Sequence, residues 1–218
     1  MAAPKILGLG GSPRRGGNTD ALLREILRGA ASVGAKVEHV FLRDYAITAC
    51  DGCEACRRAK TCTRFKDGMQ LLYPKVEAAQ GIVLGSPTHT YNVTAMTKAF
   101  IDRLYPFYEF DPANRRKWSS RLAGQNRKAL VFSVCEQPEP ESLGVTLPAM
   151  RLALEALGYE VVDEMGVTGF FARAAVRKDL AVLDEAYARG RALALALGGK
   201  TALDEGGGDR RKHSEVND

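Results

Sequence analysis

The sequence predicts an α/β fold in which helices cover both faces of a five-stranded parallel sheet. Five short apolar runs, typical of buried parallel strands, alternate along the chain with segments of helical periodicity. The loops after the first and third runs are the most unusual in the chain, as expected if both lie at the carboxyl edge of such a sheet. Right-handed crossovers then favour a doubly wound sheet in the order 2-1-3-4-5.

The predicted elements follow one another without an internal repeat or a second domain. The first apolar run, residues 5–9, leads into a helix whose inner face carries Leu22, Leu23, Ile26 and Leu27. Pro74 is expected to shorten or kink the next helix. The other predicted strands are residues 35–42, 81–87, 127–135 and 159–167, and the other predicted helices are residues 67–79, 93–104, 147–157 and 176–197.

One domain is therefore expected over residues 1–199, with two irregular segments inside it. These are a cysteine-rich loop, residues 43–66, and an aromatic insertion, residues 105–127. Residues 200–218 are charged and rich in glycine, so we expect a disordered tail.

Composition limits the classes of function. A hydrophobic content of 45% is ordinary for a soluble protein, and neither a bilayer-spanning run nor a signal peptide is found, so we expect a cytoplasmic protein without a membrane partner. The net charge of +5 suits anionic small molecules or an acidic electron-carrier protein. The basic residues are scattered and no nucleic-acid motif is present, so no nucleic-acid partner is expected. Five cysteines in such a chain favour metal binding or redox chemistry over disulfides.

The loop after the first strand has the composition of an anion site. Small residues lead into a helix, so free backbone N–H groups and the helix dipole converge there. Ser12, Asn18 and Thr19 add neutral donors, Arg14 adds a planar cation, and Asn18 is a natural N-cap. The loop is neither a Walker A motif nor a G-x-G-x-x-G fingerprint. A plain β–α turn with an isolated arginine is the alternative.

Two stretches resemble the NADPH-dependent FMN reductase family. The sequence Gly-Ser-Pro-Arg-x-Gly-Gly-Asn-Thr at residues 11–19 resembles the family's first loop, and residues 85–103 resemble its second flavin loop and helix. The resemblance implies a flavodoxin-like fold that binds FMN and uses NAD(P)H as co-substrate. It assigns the FMN phosphate to Ser12, Arg14, Gly17, Asn18 and Thr19, and the flavin ring to Pro87, Thr88, His89, Thr90, Asn92 and, in a third loop, Glu136.

No side chain is expected to be catalytic in its own right, because the flavin carries the chemistry. His89 stands where relatives usually carry an aromatic residue. A structural hydrogen-bonding role and an acid–base role are both open for it.

The cysteine spacing indicates a metal site. The pattern Cys50-x2-Cys53-x2-Cys56-x5-Cys62 suits a multi-iron cluster better than one ion, because zinc sites usually use two separated pairs. The run resembles the iron–sulfur flavoproteins, a branch of the family with a [4Fe–4S] cluster beside FMN. Zinc, structural thiols and redox-sensitive thiols remain alternatives. Cys135 is expected in the core. The cations that flank the run, and would stabilise an anionic cluster, are Arg57, Arg58, Lys60, Arg64 and Lys66.

The position of the cysteine run predicts its place in the fold. It follows the second strand, so we expect it at the sheet edge that carries both flavin loops, within electron-transfer reach of the ring.

We expect the aromatic insertion to pack against another protein surface. Tyr105, Phe107, Tyr108, Phe110 and Trp118 lie within fourteen positions, and exposing so much ring area is unfavourable. One alternative is packing on the insertion's own domain. The other is a subunit interface of a homo-oligomer that also walls the flavin crevice, with arginines facing the NADPH phosphates.

Together these features predict an FMN-dependent oxidoreductase that takes electrons from NAD(P)H or a reduced carrier, with a [4Fe–4S] cluster relaying single electrons. One alternative is a cluster-free NAD(P)H-dependent FMN or quinone reductase. Another is a non-catalytic flavodoxin-like electron carrier, although flavodoxins are usually acidic and this chain has a pI near 9.0.

Overall fold

A computed structural model of the protein describes residues 2–198. The segment expected to be a disordered tail, residues 200–218, lies outside the described residues. No helix in the described part of the chain is long and apolar enough to cross a bilayer.

The main sheet has five parallel strands in the order β2-β1-β3-β6-β7. Counting only the strands of this sheet, the order is the expected 2-1-3-4-5. The chain has two further strands, β4 and β5, which form a separate antiparallel pair inside the aromatic insertion and were not predicted. The strands are β1 (Lys5–Gly10), β2 (Lys36–Phe41), β3 (Gly81–Pro87), β4 (Tyr108–Phe110), β5 (Trp118–Ser120), β6 (Lys128–Val134) and β7 (Glu160–Val167).

The helices connect the strands near the predicted positions. Pro74 lies inside the third helix, which nevertheless continues to Ala78. The last helix begins at Leu180, later than predicted, because a 3-10 turn precedes it and Asp179 caps it by accepting from the Val182 N–H at 3.1 Å. The helices are α1 (Asn18–Ala31), α2 (Cys56–Ala59), α3 (Met69–Ala78), α4 (Ala95–Asp102), α5 (Thr146–Ala156) and α6 (Leu180–Ala196).

Burial explains why the central strands are continuously apolar. β1, β3 and β6 are almost wholly buried because helices cover both faces of the sheet, whereas the edge strands β2 and β7 are half exposed. One core packs α3, α4 and α5 against the sheet, around Met69, Phe100 and Met150. The other core packs α1 and α6 against the opposite face, around Leu23 and Leu193.

The loops that follow β1, β3 and β6 meet at the carboxyl edge of the sheet. The Gly11 N–H donates to the Gly85 carbonyl at 2.7 Å, which joins the first loop to the end of β3. The Thr94 hydroxyl, at the N-cap of α4, donates to the Gly11 carbonyl at 2.7 Å. A Cβ at Gly11 would lie 1.9 Å from the Thr97 hydroxyl, so only glycine fits this junction.

Candidate functional sites

A cleft of about 590 Å³ lies where the three loops meet. Nine of the residues expected at the cofactor line it, whereas Thr90 and Asn92 do not. The sequence-predicted residues at the cleft are Ser12, Arg14, Gly17, Asn18, Thr19, Pro87, Thr88, His89 and Glu136, and the further lining residues are Val134, Phe170, Phe171 and Arg173.

The N-terminus of α1 faces this cleft without a side-chain cap. The N-cap residue is Gly17, which has no side chain to accept a hydrogen bond from the first turn. The prediction that Asn18 caps α1 is therefore wrong. Its side-chain amide instead donates to the carbonyls of Phe170 and Ala172, both at 3.1 Å, and its Oδ1 accepts from the Val176 N–H. The uncapped first turn keeps N–H groups available for an anion, because these groups have no partner within the helix.

Arg14 is held at the same end of the cleft by the segment after β7. Its Nη1 donates to the Phe171 carbonyl at 3.1 Å, and its guanidinium stacks over the Phe171 ring, 5.2 Å from the centroid. Arg173, which the sequence reasoning missed, lines the cleft nearby, and a Cβ added at Gly16 would lie 3.5 Å from its Nη2. Two arginines from distant segments thus converge beside the uncapped helix end, which makes that end of the cleft strongly attractive to a phosphate.

A buried ion pair beneath the first loop fixes its shape. Asp20 is 1% exposed; its Oδ2 accepts from the Gly16 N–H at 2.7 Å and from Arg43 Nη2 at 2.7 Å. Arg43 Nη1 also donates to the Ser12 carbonyl at 3.0 Å. The sequence reasoning missed both Asp20 and Arg43. An acidic residue on the apolar face of a helix was the signal available for Asp20.

The loop after β3 folds into a tight turn that explains which residues reach the cleft. The backbones of His89 and Asn92 pair with each other, at 2.8 and 3.1 Å. Thr90 and Tyr91 between them have φ values of 49° and 61°, a conformation that is unfavourable for residues other than glycine. The turn carries Thr90 away from the cleft. The Asn92 Oδ1 accepts from the Val93 N–H at 2.8 Å. Neither Thr90 nor Asn92 lines the cleft, and their contact with the flavin ring stays a prediction.

A buried hydroxyl network lies beneath the floor of the cleft. Thr88, which lines the cleft, contacts the hydroxyls of Ser133 at 2.9 Å and Thr146 at 3.1 Å. Both partners are fully buried, so the Thr88 side chain has a fixed orientation. Cys135 follows β6 and is 6% exposed, as expected for a core residue.

The four clustered cysteines line a second cavity, of about 540 Å³. Residues from the cysteine-rich loop, α3 and the end of α4 form its walls. Among the residues 2–198 there is no group of three or more His, Cys, Asp or Glu side chains close enough for one metal ion. In a [4Fe–4S] cluster each cysteine binds a different iron, so the sulfurs must stand farther apart than the ligands of one ion. The cysteines concerned are Cys50, Cys53, Cys56 and Cys62.

The thiols influence one another electrostatically. Burial raises the pKa of Cys56, and the charges that Cys62, Cys50 and Cys53 would carry as thiolates raise it further. Four thiolates are therefore unfavourable together unless cations neutralise them, and ligation to iron would supply that charge.

The positive charge expected around the four cysteines is only partly present. Arg64 lines the cavity but pairs with Asp51 at 2.8 Å. Arg57 pairs with Glu54, and Lys60 pairs with Glu109 at 3.1 Å. Neighbouring acids thus neutralise much of the charge that the flanking cations carry.

Arg103 and Tyr73 close the inner wall of the cysteine cavity. Arg103 is 2% exposed and donates through Nη1 and Nη2 to the two Asp67 oxygens, at 2.7 and 3.0 Å, and through Nη1 to the Thr48 carbonyl at 2.7 Å. Burial opposes the charge of Arg103, but the paired carboxylate raises its pKa overall. Burial also raises the pKa of Tyr73 to about 12, so its hydroxyl stays protonated at neutral pH.

The two cavities lie at opposite ends of α4. Thr94, at the N-terminal end of this helix, binds the loop beside the cleft, and Arg103, just after its C-terminal end, lines the cysteine cavity. The eight residues of α4 span about 12 Å at 1.5 Å per residue. The cleft and the cysteine cavity share no lining residue. That the cysteines lie within electron-transfer reach of the flavin ring stays a prediction.

The aromatic insertion packs on the cysteine-rich loop of its own chain. Tyr105 lines the cysteine cavity and donates to Glu54 at 3.2 Å, and Arg57 stacks 4.5 Å from the centroid of the Phe110 ring. Arg115 forms an ion pair with Glu54. No residue of 105–121 lines the cleft of its own chain. The alternative, a subunit interface that walls the flavin crevice, stays a prediction.

Comparison with known proteins is consistent with this geometry. The family model described as NADPH-dependent FMN reductase matches residues 4–133, which include the first two loops of the cleft and the whole cysteine run. Among solved structures, an NAD(P)H:quinone oxidoreductase from Methanothermobacter marburgensis superposes with a TM-score of 0.67 at 17% identity, covering 88% of this chain and 100% of that one. That likeness shows the shared flavodoxin-like fold.

Two curated relatives are named iron–sulfur flavoproteins. One, from Methanocaldococcus jannaschii, is 38% identical over 102 residues, or 47% of this chain and 52% of the relative, so the match spans about half of that protein's length. The other, from Archaeoglobus fulgidus, is 30% identical over 180 residues, or 80% of this chain and 82% of the relative. The chain therefore belongs to the NADPH-dependent FMN reductase family, in its iron–sulfur flavoprotein branch.

Proposed function

We propose that the protein is an FMN-dependent oxidoreductase that takes electrons from NAD(P)H or a reduced carrier and passes them on through a [4Fe–4S] cluster. The observation that supports the proposal is that one chain contains two preformed sites. One is an uncapped helix N-terminus flanked by Arg14 and Arg173. The other is a separate cavity lined by four thiols.

The residues of the cleft would bind and orient FMN. Arg14, Arg173 and the first N–H groups of α1 would hold the phosphate, and Asp20 with Arg43 would keep the loop in shape. Pro87, Thr88, His89 and Glu136 would border the ring. The chemistry supplied by bound FMN is the acceptance of a hydride and the release of electrons singly or in pairs.

Cys50, Cys53, Cys56 and Cys62 would hold the cluster, whose contribution is the relay of single electrons. Their convergence on one cavity and the names of the relatives support this assignment. The alternative, a cluster-free FMN or quinone reductase, would use the same cleft and leave the thiols without a metal.

Affinity for FMN and for riboflavin tests the flavin assignment directly. Riboflavin lacks the phosphate, so we expect the apoprotein to bind it at least tenfold more weakly than FMN, as measured by quenching of flavin fluorescence. Equal affinities would contradict the phosphate assignment.

Oxidation of NADPH and NADH by the FMN-loaded protein, with a quinone as acceptor, would then distinguish an enzyme from a non-catalytic electron carrier. A non-catalytic carrier would oxidise neither.

The proposal includes a homo-oligomer, acting in the cytoplasm on a small-molecule acceptor or an acidic carrier protein. Half-exposed aromatic side chains at Trp118 and Phe171 and the net charge of +5 support these assignments. Sedimentation velocity at micromolar concentration would decide the oligomeric state, and a monomer would contradict this part of the proposal.

A further inference from the structure

Tyr73 presents an unpaired hydroxyl at the cysteine cavity. The residue lies on α3, is 7% exposed and lines the cavity together with the four thiols. Its hydroxyl is buried, and within residues 2–198 no acceptor lies within hydrogen-bond distance of it; the neighbouring Arg103 guanidinium is close enough to lower its pKa, against the larger effect of burial. Buried polar groups normally have partners, because an unpaired one destabilises the fold. The hydroxyl therefore indicates a partner that the polypeptide does not supply.

The Tyr73 hydroxyl has little freedom to find another partner. Its ring packs edge-to-face on Phe107, with centroids 6.0 Å apart and an interplanar angle of 67°. The hydroxyl lies within electrostatic range of Cys62 and Cys56. The adjacent Arg103 directs its terminal nitrogens to Asp67 and Thr48, and its Nε is also buried without a partner.

The cavity wall thus carries a phenol donor that lacks an acceptor, beside the guanidinium of Arg103. A phenol hydroxyl and a guanidinium N–H both require an electron-rich atom opposite them. The sulfurs of a thiolate-bound cluster are acceptors of this kind, and hydrogen bonds to them favour the more negative, reduced form of a cluster.

We propose that Tyr73 donates a hydrogen bond to a sulfur of the cluster and thereby raises the cluster's reduction potential. The inference rests on the proposed [4Fe–4S] cluster and makes Tyr73 a positioning and tuning residue, not a ligand. Tyr73 is the better residue to test, because replacing Arg103 would also leave Asp67 buried without its partner.

The test uses the full chain, reconstituted with iron and sulfide without oxygen and carrying Tyr73→Phe. The variant should retain the wild-type iron content. Its equilibrium constant for one-electron reduction of the cluster should fall about tenfold, a shift of about 59 mV towards more negative potential. A redox titration followed by electron paramagnetic resonance measures this shift.

Tyr105→Phe is the matched control. Tyr105 lines the same cavity, but its hydroxyl already donates to Glu54 at 3.2 Å. Its replacement should leave the potential of the cluster unchanged. Equal potentials in wild type and Tyr73→Phe, or equal shifts in the two variants, would overturn the inference.

Thermal unfolding of the cluster-free chain supplies a second measurement. Tyr73→Phe removes an unpaired buried hydroxyl, so its unfolding midpoint without cluster should equal or exceed that of the wild type. A lower midpoint would mean that the hydroxyl serves the fold, and would overturn the inference. Loss of iron from Tyr73→Phe would also overturn the inference, because Tyr73 would then be needed to hold the cluster and not to set its potential. A wild-type chain that holds no iron after reconstitution would instead overturn the proposed cluster itself.

Discussion

Arg14 and Arg15 are neighbours in the first loop, yet the structure gives them different roles. Arg14 lines the cleft and is oriented by the Phe171 carbonyl and ring. Arg15 does not line the cleft and pairs with Asp44 at 2.5 Å, with 70% of its side chain exposed. Only Arg14 is placed to contact a phosphate at the uncapped end of α1.

We expect Arg14→Ala to weaken FMN binding at least tenfold. The change removes a charge-assisted hydrogen bond of about 1.5–3 kcal/mol. Arg15→Ala, which removes the same charge from the adjacent position, should change the FMN dissociation constant by less than about twofold, because surface ion pairs contribute little. Titration of each apoprotein with FMN measures both. Similar losses in the two variants would mean that net charge, not a defined contact, governs affinity.

The individual residues of the cleft were predicted less completely than the fold. The loop composition was sufficient to predict Arg14, but Asn18 was expected to cap α1 and instead binds the segment after β7, 152 residues or more away in the chain. Arg173 comes from that same segment and carries no local motif. Thr90 and Asn92 do not line the cleft, because the turn between them has left-handed backbone at Thr90 and Tyr91, which single-residue propensities disfavour.

At the scale of elements, one ion pair joins the cysteine-rich loop to α4. Asp67 follows the loop, accepts from the Thr48 N–H at 2.9 Å, and binds Arg103 at the end of α4. The side chains of the Arg103–Asp67 pair are only 2% and 9% exposed. One turn earlier in the same helix, Lys98 pairs with Asp102 on the surface, with 58% and 42% exposure. The two pairs provide an internal comparison of buried and exposed charge.

We expect Asp67→Asn to lower the free energy of unfolding by about 3–5 kcal/mol, because it leaves Arg103 buried without a counter-charge. Asp102→Asn should cost less than about 1 kcal/mol, as is usual for exposed pairs. Urea unfolding of the cluster-free proteins measures both. Equal effects of the two changes would contradict a structural role for the buried pair.

The same pair predicts a pH dependence. Burial alone would raise the pKa of Asp67, but hydrogen bonds from Arg103, Thr48 and Met69 hold it below the ordinary value of 3.8. A lowered pKa stabilises the folded state above the unfolded-state value, and this contribution is lost as the pH falls through the lowered pKa. The difference in unfolding free energy between wild type and Asp67→Asn should therefore be constant above about pH 5 and shrink below pH 3.8.

At the scale of the whole molecule, hydrophobic periodicity predicted the parallel sheet, its order and its helices, because continuous apolar runs require burial on both faces. The β4–β5 pair was not predicted, since its strands have three residues each. The attachment of the cysteine-rich loop to the end of α4 was also not predicted. It depends on Arg103, 55 residues from its partner Thr48, and neither position has a local signal for that contact.

The resulting molecule has two sites at opposite ends of one short helix, and no lining residue belongs to both. The two sites should therefore be separable by mutation. Cys→Ala changes in the cysteine cavity should leave FMN binding in the cleft intact. Cys135 is buried at the end of β6 and does not line the cysteine cavity, so the same substitution there provides a control.

The content of FMN, iron and sulfide per chain, after reconstitution without oxygen, tests this central claim most directly. The account predicts one FMN and about four irons and four sulfides in the wild type and in Cys135→Ala. Cys56→Ala should lose most of the iron and sulfide yet keep its FMN, because one lost thiolate opens the cluster to solvent. A wild-type chain that binds FMN but no iron, or a Cys56→Ala variant with undiminished iron, would contradict the account and leave a plain flavin reductase.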